Sequence, residues 1–354
     1  MLQRVCSLIA IVVTIIVSHA LLAAADEWEK VLEAAKKEGT VSVSGPVGAD
    51  RRDALTLAFE KKYGIKVEYW GDRGSAVGPK LSAERNAGKF LWDVFVGGTT
   101  PGMIRETMFD PIEPALILPE VKDPKQWRGG GIEYLGRYLV MTQSQRGTLY
   151  VNPKVVKPDS ITSYKDLLNP KYKGKMVLDD PTMAGPGQAT VQFFYLHPEL
   201  GPNFIRELAK QQITVLRDYA QELDCIAREK CLVAIGVSDI FAEARMKAGM
   251  PIVILDPRKL KEHSDINPGA GGLALFNQAP HPNAAKVYIN WLLSKEGQTD
   301  FAQVNGYISA RLDVSTAHSP WRVPIPGAIK TYTKAATDST DNVVVLFKEA
   351  FGRK

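Results

Sequence analysis

Between Thr40 and Thr100 one order of events occurs three times: a short strand-like run, a loop of small or polar residues, and a helix-compatible stretch. Thr40–Ser44 (TVSVS) ends at Gly45-Pro46 and precedes a helix over 50–63 that Gly64 closes. Ile65–Trp70 (IKVEYW) ends at Gly71-Asp72-Arg73-Gly74-Ser75, and Ser75 is placed to cap a helix running to Asn86. Trp92–Val96 (WDVFV) ends at Gly97-Gly98-Thr99-Thr100 before another short helix. An amphipathic helix over 26–38, with Trp28, Val31, Leu32 and Ala35 on one face, comes first and stops at Gly39. Strands alternating with helices predict an α/β protein with a parallel sheet. In such sheets ligands bind outside the carboxyl ends of the strands, where these Gly-, Ser- and Thr-rich loops collect.

The first 25 residues read as a secretory signal: Arg4, a short apolar run Leu8–Val17, and Ala23-Ala24-Ala25 before Asp26. The apolar run is shorter than the roughly 20 residues a membrane span needs, which favours cleavage over a retained anchor. Cys6 precedes that run, so it is not a lipid-attachment site. Export to the periplasm as a soluble, monomeric chain is the expectation. Removing 25 of 354 residues leaves 329, more than one core usually organises, so two domains are expected. Without Arg4 the formal charge is +4, with basic and acidic residues interleaved. No basic tract carries interleaved aromatics, which argues against nucleic acid as a partner. Two cysteines remain, Cys225 and Cys231, between a helix and a strand. A disulfide is permitted after export and two free thiols are the alternative; the spacing fits neither a redox pair nor a zinc site.

Beyond residue 109 the composition turns to Pro, Asp and Gly, as expected of a covering loop to residue 131. Leu139–Met141 and Thr148–Val151 look extended and are placed to carry the chain into a second domain. Gly174–Ala189 (GKMVLDDPTMAGPGQA) joins an apolar strand to a helix start through a small-residue loop. Such a junction leaves backbone N–H groups to face an anion. Further helices are expected at 204–210, 219–230, 239–248, 283–293 and 343–351, and strands at 232–237, 252–255 and 273–276. Gly269–Ala274 matches G-x-G-x-x-A but precedes a strand, the wrong setting for a dinucleotide. No zinc-protease, nucleophile-elbow or Walker sequence is present, and the histidines are scattered, so no enzyme, cofactor or metal site is expected.

Ser163–Met176 (SYKDLLNPKYKGKM) and Ala279–Gln298 (APHPNAAKVYINWLLSKEGQ) resemble bacterial extracellular solute-binding proteins of the ferric-iron and polyamine type. Thr40–Val43 and Phe59–Val67 (FEKKYGIKV) are similar to the same family, in the same order. The resemblance implies a two-lobed periplasmic-binding-protein fold. Each lobe would be a mixed, mostly parallel sheet flanked by helices, joined by crossing hinge strands. Lobe 1 would comprise 26–141 and 264–312, and lobe 2 would comprise 142–263 and 313–354. It further implies a substrate-binding component of an ABC importer, serving a membrane permease and trapping a small solute by hinge closure. Iron-binding members hold the metal with two adjacent tyrosines after a lobe-two strand; Gly236–Phe241 has none. An anionic solute is therefore the expected cargo. A ferric site without tyrosine and a thiaminase-like enzyme on the same scaffold are the alternatives.

The residues expected to contact ligand follow from these loops. In the first lobe they are Gly45, Pro46, Arg73, Ser75, Gly98 and Thr99, with Arg73 as the charge contact. In the second they are Thr182, Gly185, Gly187 and Gln188 at the helix start, with Asp239 as a helix cap or amine ligand. Arg146, Tyr150 and Arg311, near the crossings, complete the set.

Overall fold

The computed structural model describes residues 24–72, 74–98 and 106–353, and these gather into two compact units. One takes the described residues up to Thr142 together with Pro268–His318; the other takes Gln143–Asn267 with Ser319 onward.

In the first unit Val41 and Val43 point to one face of the Thr40–Pro46 strand, and Ser42 and Ser44 to the other, as a pleat requires. The valine face packs on Leu55 and Phe59 of helix Ala49–Tyr63 and on Tyr288 and Trp291 of helix Pro282–Leu293. The opposite face of the sheet packs Phe95 and Phe276 against Val77 and Leu81. The sheet order is Lys66–Asp72, Thr40–Pro46, Val94–Gly97, Gly272–Phe276, Tyr138–Val140, Glu133–Leu135. The first three are parallel; Gly272–Phe276 runs antiparallel to both of its neighbours. The helix over 24–38 ends in Glu38, whose carboxylate accepts from the Asn283 N–H at 3.2 Å and the Ala284 N–H at 2.7 Å. That negative charge satisfies the first turn of Pro282–Leu293, whose own cap position offers no side-chain acceptor.

The second unit has the sheet order Thr214–Leu216, Met176–Asp179, Val233–Ile235, Leu149–Val151, Val253–Ile254. Again the first three are parallel and the remainder antiparallel. Helices Pro186–Leu196, Gly201–Ala209 and Thr340–Ala350 bury Phe193, Phe204 and Phe347 against one face. Helix Tyr219–Ala227 covers the other with Leu223 and Ile226.

The two stretches expected to cross between units are instead sheet members, Leu139 opposite Leu273 and Tyr150 opposite Ala234. An antiparallel ribbon, Ser144–Gln145 with Ile266–Asn267, stands at the crossings. The boundaries differ from the expected ones for the same reason. Ile266 pairs with Gln145 and donates its N–H to the Ile329 carbonyl, which ties 264–267 to the second unit. Residues 313–318 stay with the first, through the 2.8 Å Arg311–Asp313 ion pair and the His318 Nε2 bond to the Tyr307 carbonyl. Among the described residues no helix is long and apolar enough to cross a membrane.

Cys225 and Cys231 are joined as a disulfide. It staples the end of helix Tyr219–Ala227 to the entry of strand Val233–Ile235. Replacing both cysteines by serine is expected to lower stability by about 2 kcal/mol, the loop-closure entropy of so short a ring. Urea unfolding of the variant beside the oxidised protein measures the loss.

Candidate functional site

The loops at the carboxyl ends of the parallel strands hold most of the expected residues. In the first unit Gly45 and Pro46 end the strand itself. A Cβ on Gly45 would lie 2.4 Å from the Tyr69 hydroxyl, and that hydroxyl donates to the Pro46 carbonyl at 2.5 Å. A side chain at Gly45 would therefore have to displace the Tyr69 ring. Burial in this contact pushes the Tyr69 hydroxyl well above its ordinary range. Val47 follows, exposed, and helix Ala49–Tyr63 begins after Gly48 with no side-chain cap. Asp50, Arg51 and Arg52 occupy its first turn; Arg52 pairs with Asp53, while Arg51 makes no ion pair among the described residues. Gly98 follows strand Val94–Gly97 and is half-buried. Arg73 and Thr99 lie outside the described residues. Ser75 lies within helix Gly74–Asn86 instead of at its cap.

In the second unit the expected anion cradle already holds an anion. Helix Pro186–Leu196 starts after Gly185, and proline supplies no N–H at its first position. The next N–H, from Gly187, donates to the Asp179 carboxylate at 2.8 Å. A Cβ on Gly187 would stand 2.3 Å from the Asp179 carbonyl oxygen, so only glycine fits there. Gly236, at φ +73°, closes on the same spot, where its Cβ would lie 3.0 Å from Gly187 Cα. Thr182 is turned inward: its N–H and hydroxyl bond to Asp180 at 3.0 and 2.7 Å. Asp180 also pairs with Arg217 at 2.9 Å and Arg353 at 3.0 Å. Burial works to raise the Asp180 pKa, but hydrogen bonds from Thr182 and Arg217 outweigh it and hold the group below the usual carboxylate range. Gln188 is half-buried with its amide 3.4 Å from the Pro181 carbonyl, and Met183 is exposed.

Arg146 holds this helix start in place. Its Nε lies 3.0 and 2.9 Å from the two oxygens of the fully buried Asp265. One Nη donates to the Pro186 carbonyl at 3.1 Å and to the Thr190 hydroxyl at 2.7 Å. Thr331 donates to the same Asp265 at 2.8 Å. Asp239 is not the helix cap: Ser238 is, accepting from the Phe241 N–H at 3.4 Å. Asp239 pairs with the buried Arg322 at 2.6 Å, whose other Nη lies 3.1 Å from Glu243 and whose guanidinium stacks on Trp321. Tyr150 is fully buried with its hydroxyl beside the Gly147 and Val237 carbonyls, and Arg311 is buried against Asp313 and the Leu293 carbonyl.

The structure therefore brings Gly185, Gly187, Gln188, Thr182 and Arg146 together and separates Asp239 into the neighbouring Arg322 cluster. Two acids that sequence reading missed, Asp179 and Glu222, stand beneath the helix start. Glu222 is fully buried with neither oxygen meeting a donor among the described residues. Its side chain reaches Asp179 at hydrogen-bonding range, which needs a proton between them. Burial first, and each other's charge next, push the Glu222 carboxyl up; burial likewise raises Asp179. The double acid at 179–180 was a visible signal, whereas Glu222 reads as an ordinary polar position of an amphipathic helix.

Residues 54–325 match the family model described as bacterial extracellular solute-binding protein. The chain belongs to that family. Solved structures support the architecture. A putative extracellular solute-binding protein from Bordetella parapertussis is 14% identical with a TM-score of 0.66, covering 88% of this chain and 98% of its own. The Trichodesmium protein titled IdiA (FutA), in complex with iron and citrate, is 16% identical with a TM-score of 0.64, covering 88% and 99%. AfuA from Actinobacillus pleuropneumoniae, with fructose-6-phosphate bound, is 18% identical with a TM-score of 0.60, covering 89% and 99%. These likenesses concern the fold, the two-lobed periplasmic-binding-protein architecture of solute-binding proteins.

For this solute-binding protein the buried contacts fix a ranking of substitutions. Arg146→Ala leaves Asp265 buried beside Thr331 alone and is expected to cost about 3–5 kcal/mol. Gly187→Ala forces a Cβ into the Asp179 backbone and is expected to cost about 1–3 kcal/mol. Chemical denaturation of the two variants checks the order.

Proposed function

We propose that the protein is the periplasmic substrate-binding component of an ABC importer, released after removal of residues 1–25, acting as a monomer. It captures a small anionic solute by hinge closure of its two units and delivers it to a membrane permease. The family match carries the reading, joined to strand-end loops of the ligand-binding kind in each unit. A solute that binds the closed state more tightly supplies the driving force for closure. No covalent step is needed. The thiaminase-like alternative requires a thiol, and Cys225 and Cys231 are bonded to each other.

Three features support an anion. The helix that begins after Gly48 has no side-chain cap at its amino end, and Arg51 in its first turn makes no ion pair among the described residues. Arg73 follows a second strand of the same sheet. Proteins of the same fold carry fructose-6-phosphate, or iron with citrate. In this reading Gly45, Pro46, Arg73, Ser75, Gly98 and Thr99 with Arg51 form one contact set, and Thr182, Gly185 and Gln188 form the other. Gly187, Arg146 and Asp239 act from behind, through their internal partners.

A thermal-shift screen of carboxylates, phosphate esters, sulfonates, amines and ferric salts tests this. A solute at a hundred times its Kd adds ~2.7 kcal/mol of apparent stability. Stabilisation by an acid is the expected result, and stabilisation by amines alone would overturn the anionic reading. A visible charge-transfer band on adding ferric salt would replace it with an iron-binding one. Arg73→Ala is expected to weaken binding of the acid by ~1.5–3 kcal/mol, the worth of a charged hydrogen bond. Unchanged affinity in calorimetry takes Arg73 out of the site.

A further inference from the structure

The Asp179–Glu222 pair has a geometry that neither core packing nor solute contact explains. Asp179 ends the central parallel strand of its sheet, and one carboxylate oxygen takes the Gly187 N–H at 2.8 Å. Glu222 projects from helix Tyr219–Ala227 among Leu223 and Ile226, fully buried, and meets Asp179. Two ionised carboxylates cannot share this dry contact; one proton between them converts repulsion into an O–H···O bond. The groups around the pair leave it that choice. Asp180 from the same strand end and Asp218 from the helix cap are both negative. Tyr219 is neutral, its hydroxyl pushed up to about 12, burial being the largest cause. Arg146 is a cation that acts on Asp179, and its guanidinium is already spent on Asp265. Tyr150, two strands away in the same sheet, lies in the same apolar cluster with its hydroxyl bonded elsewhere.

We propose that Glu222 is a positioning residue for the ligand-side helix start: it holds a proton against Asp179, and through Asp179 fixes the Gly187 N–H and the Gly185–Gly187 loop. The role rests on the reading of that loop as part of the solute site. It makes the second unit sensitive to pH in a definite direction. A carboxyl held protonated in the folded state stabilises fully below its unfolded pKa, and that contribution is lost as pH rises through the folded value. Here the loss runs upward in pH from the ordinary carboxylate range, as burial and the mutual charge of the pair delay release of the shared proton.

Thermal melting of wild type and Glu222→Gln from about pH 5 to about pH 8 tests the proposal, since glutamine keeps a donor for Asp179 but cannot titrate. The expected result is a wild-type melting temperature that declines across this range and a variant that loses most of the decline. A purely structural Glu222 would shift both curves equally, and parallel profiles would overturn the proposal. Infrared spectroscopy of the wild-type protein gives a second readout should the variant not fold. An un-ionised carboxyl band near neutral pH is expected, reduced in Asp179→Asn. Absence of that band in the wild type would overturn the shared proton. Neither readout needs a solute, so their failure leaves the transport reading standing, and failure of the solute screen leaves the shared proton standing.

Discussion

The second unit depends on one buried guanidinium. Arg146 lies in the stretch that enters the unit, and Asp265 in the stretch that leaves it. The same side chain reaches the first turn of helix Pro186–Leu196 through the Pro186 carbonyl and Thr190. Three segments distant in sequence are thereby brought to one point. A buried ion pair of this kind adds little net stability over apolar packing, because both charges lose water. Its contribution is to tie these segments to one place: both Asp265 oxygens face the Arg146 Nε, and Thr331 from the tail completes the set.

Around that point the chain has used its charges on itself. Asp180 takes Arg217 and Arg353, Arg322 takes Asp239 and Glu243, and Asp179 fills the helix start. In the proposed reading the loop from Thr182 to Gln188 would offer an outer ligand backbone dipoles and an amide more than net charge. The guanidinium of Arg51, without an ion pair among the described residues, belongs to the first unit, in the first turn of a helix with no side-chain cap. The glycines at 187 and 236 serve the approach of backbone to backbone that lets this assembly close.

The sequence disclosed what local physics decides. The alternation of Thr40–Ser44 and the glycine stop at Gly64, in the left-handed conformation, were readable because each acts within a few residues. Pairings that close over long separations were not. The antiparallel half of each sheet depends on Gly272–Phe276 and Leu149–Val151 finding distant neighbours, which no periodicity encodes. Strand Thr214–Leu216 is not among the expected ones because it is short and only half covered. Asp239 looked like a cap since its partner, Arg322, lies 83 residues on. The disulfide stood open between two readings because thiol spacing alone does not fix it.

Strand Gly272–Phe276 sits between Val94–Gly97 and Tyr138–Val140 in the middle of the first unit's sheet, yet it follows the whole of Gln143–Asn267 in the chain. A polypeptide emerging amino end first therefore presents the first unit with a gap at its centre, both flanking strands unpaired on the facing edges. That sheet cannot be completed until most of the other unit has appeared. Such late, non-local closure slows folding and leaves sticky strand edges exposed meanwhile. Under the proposed export this order would be an advantage: an amino-terminal half that cannot lock before the last strand arrives would stay pliable while it is threaded across a membrane.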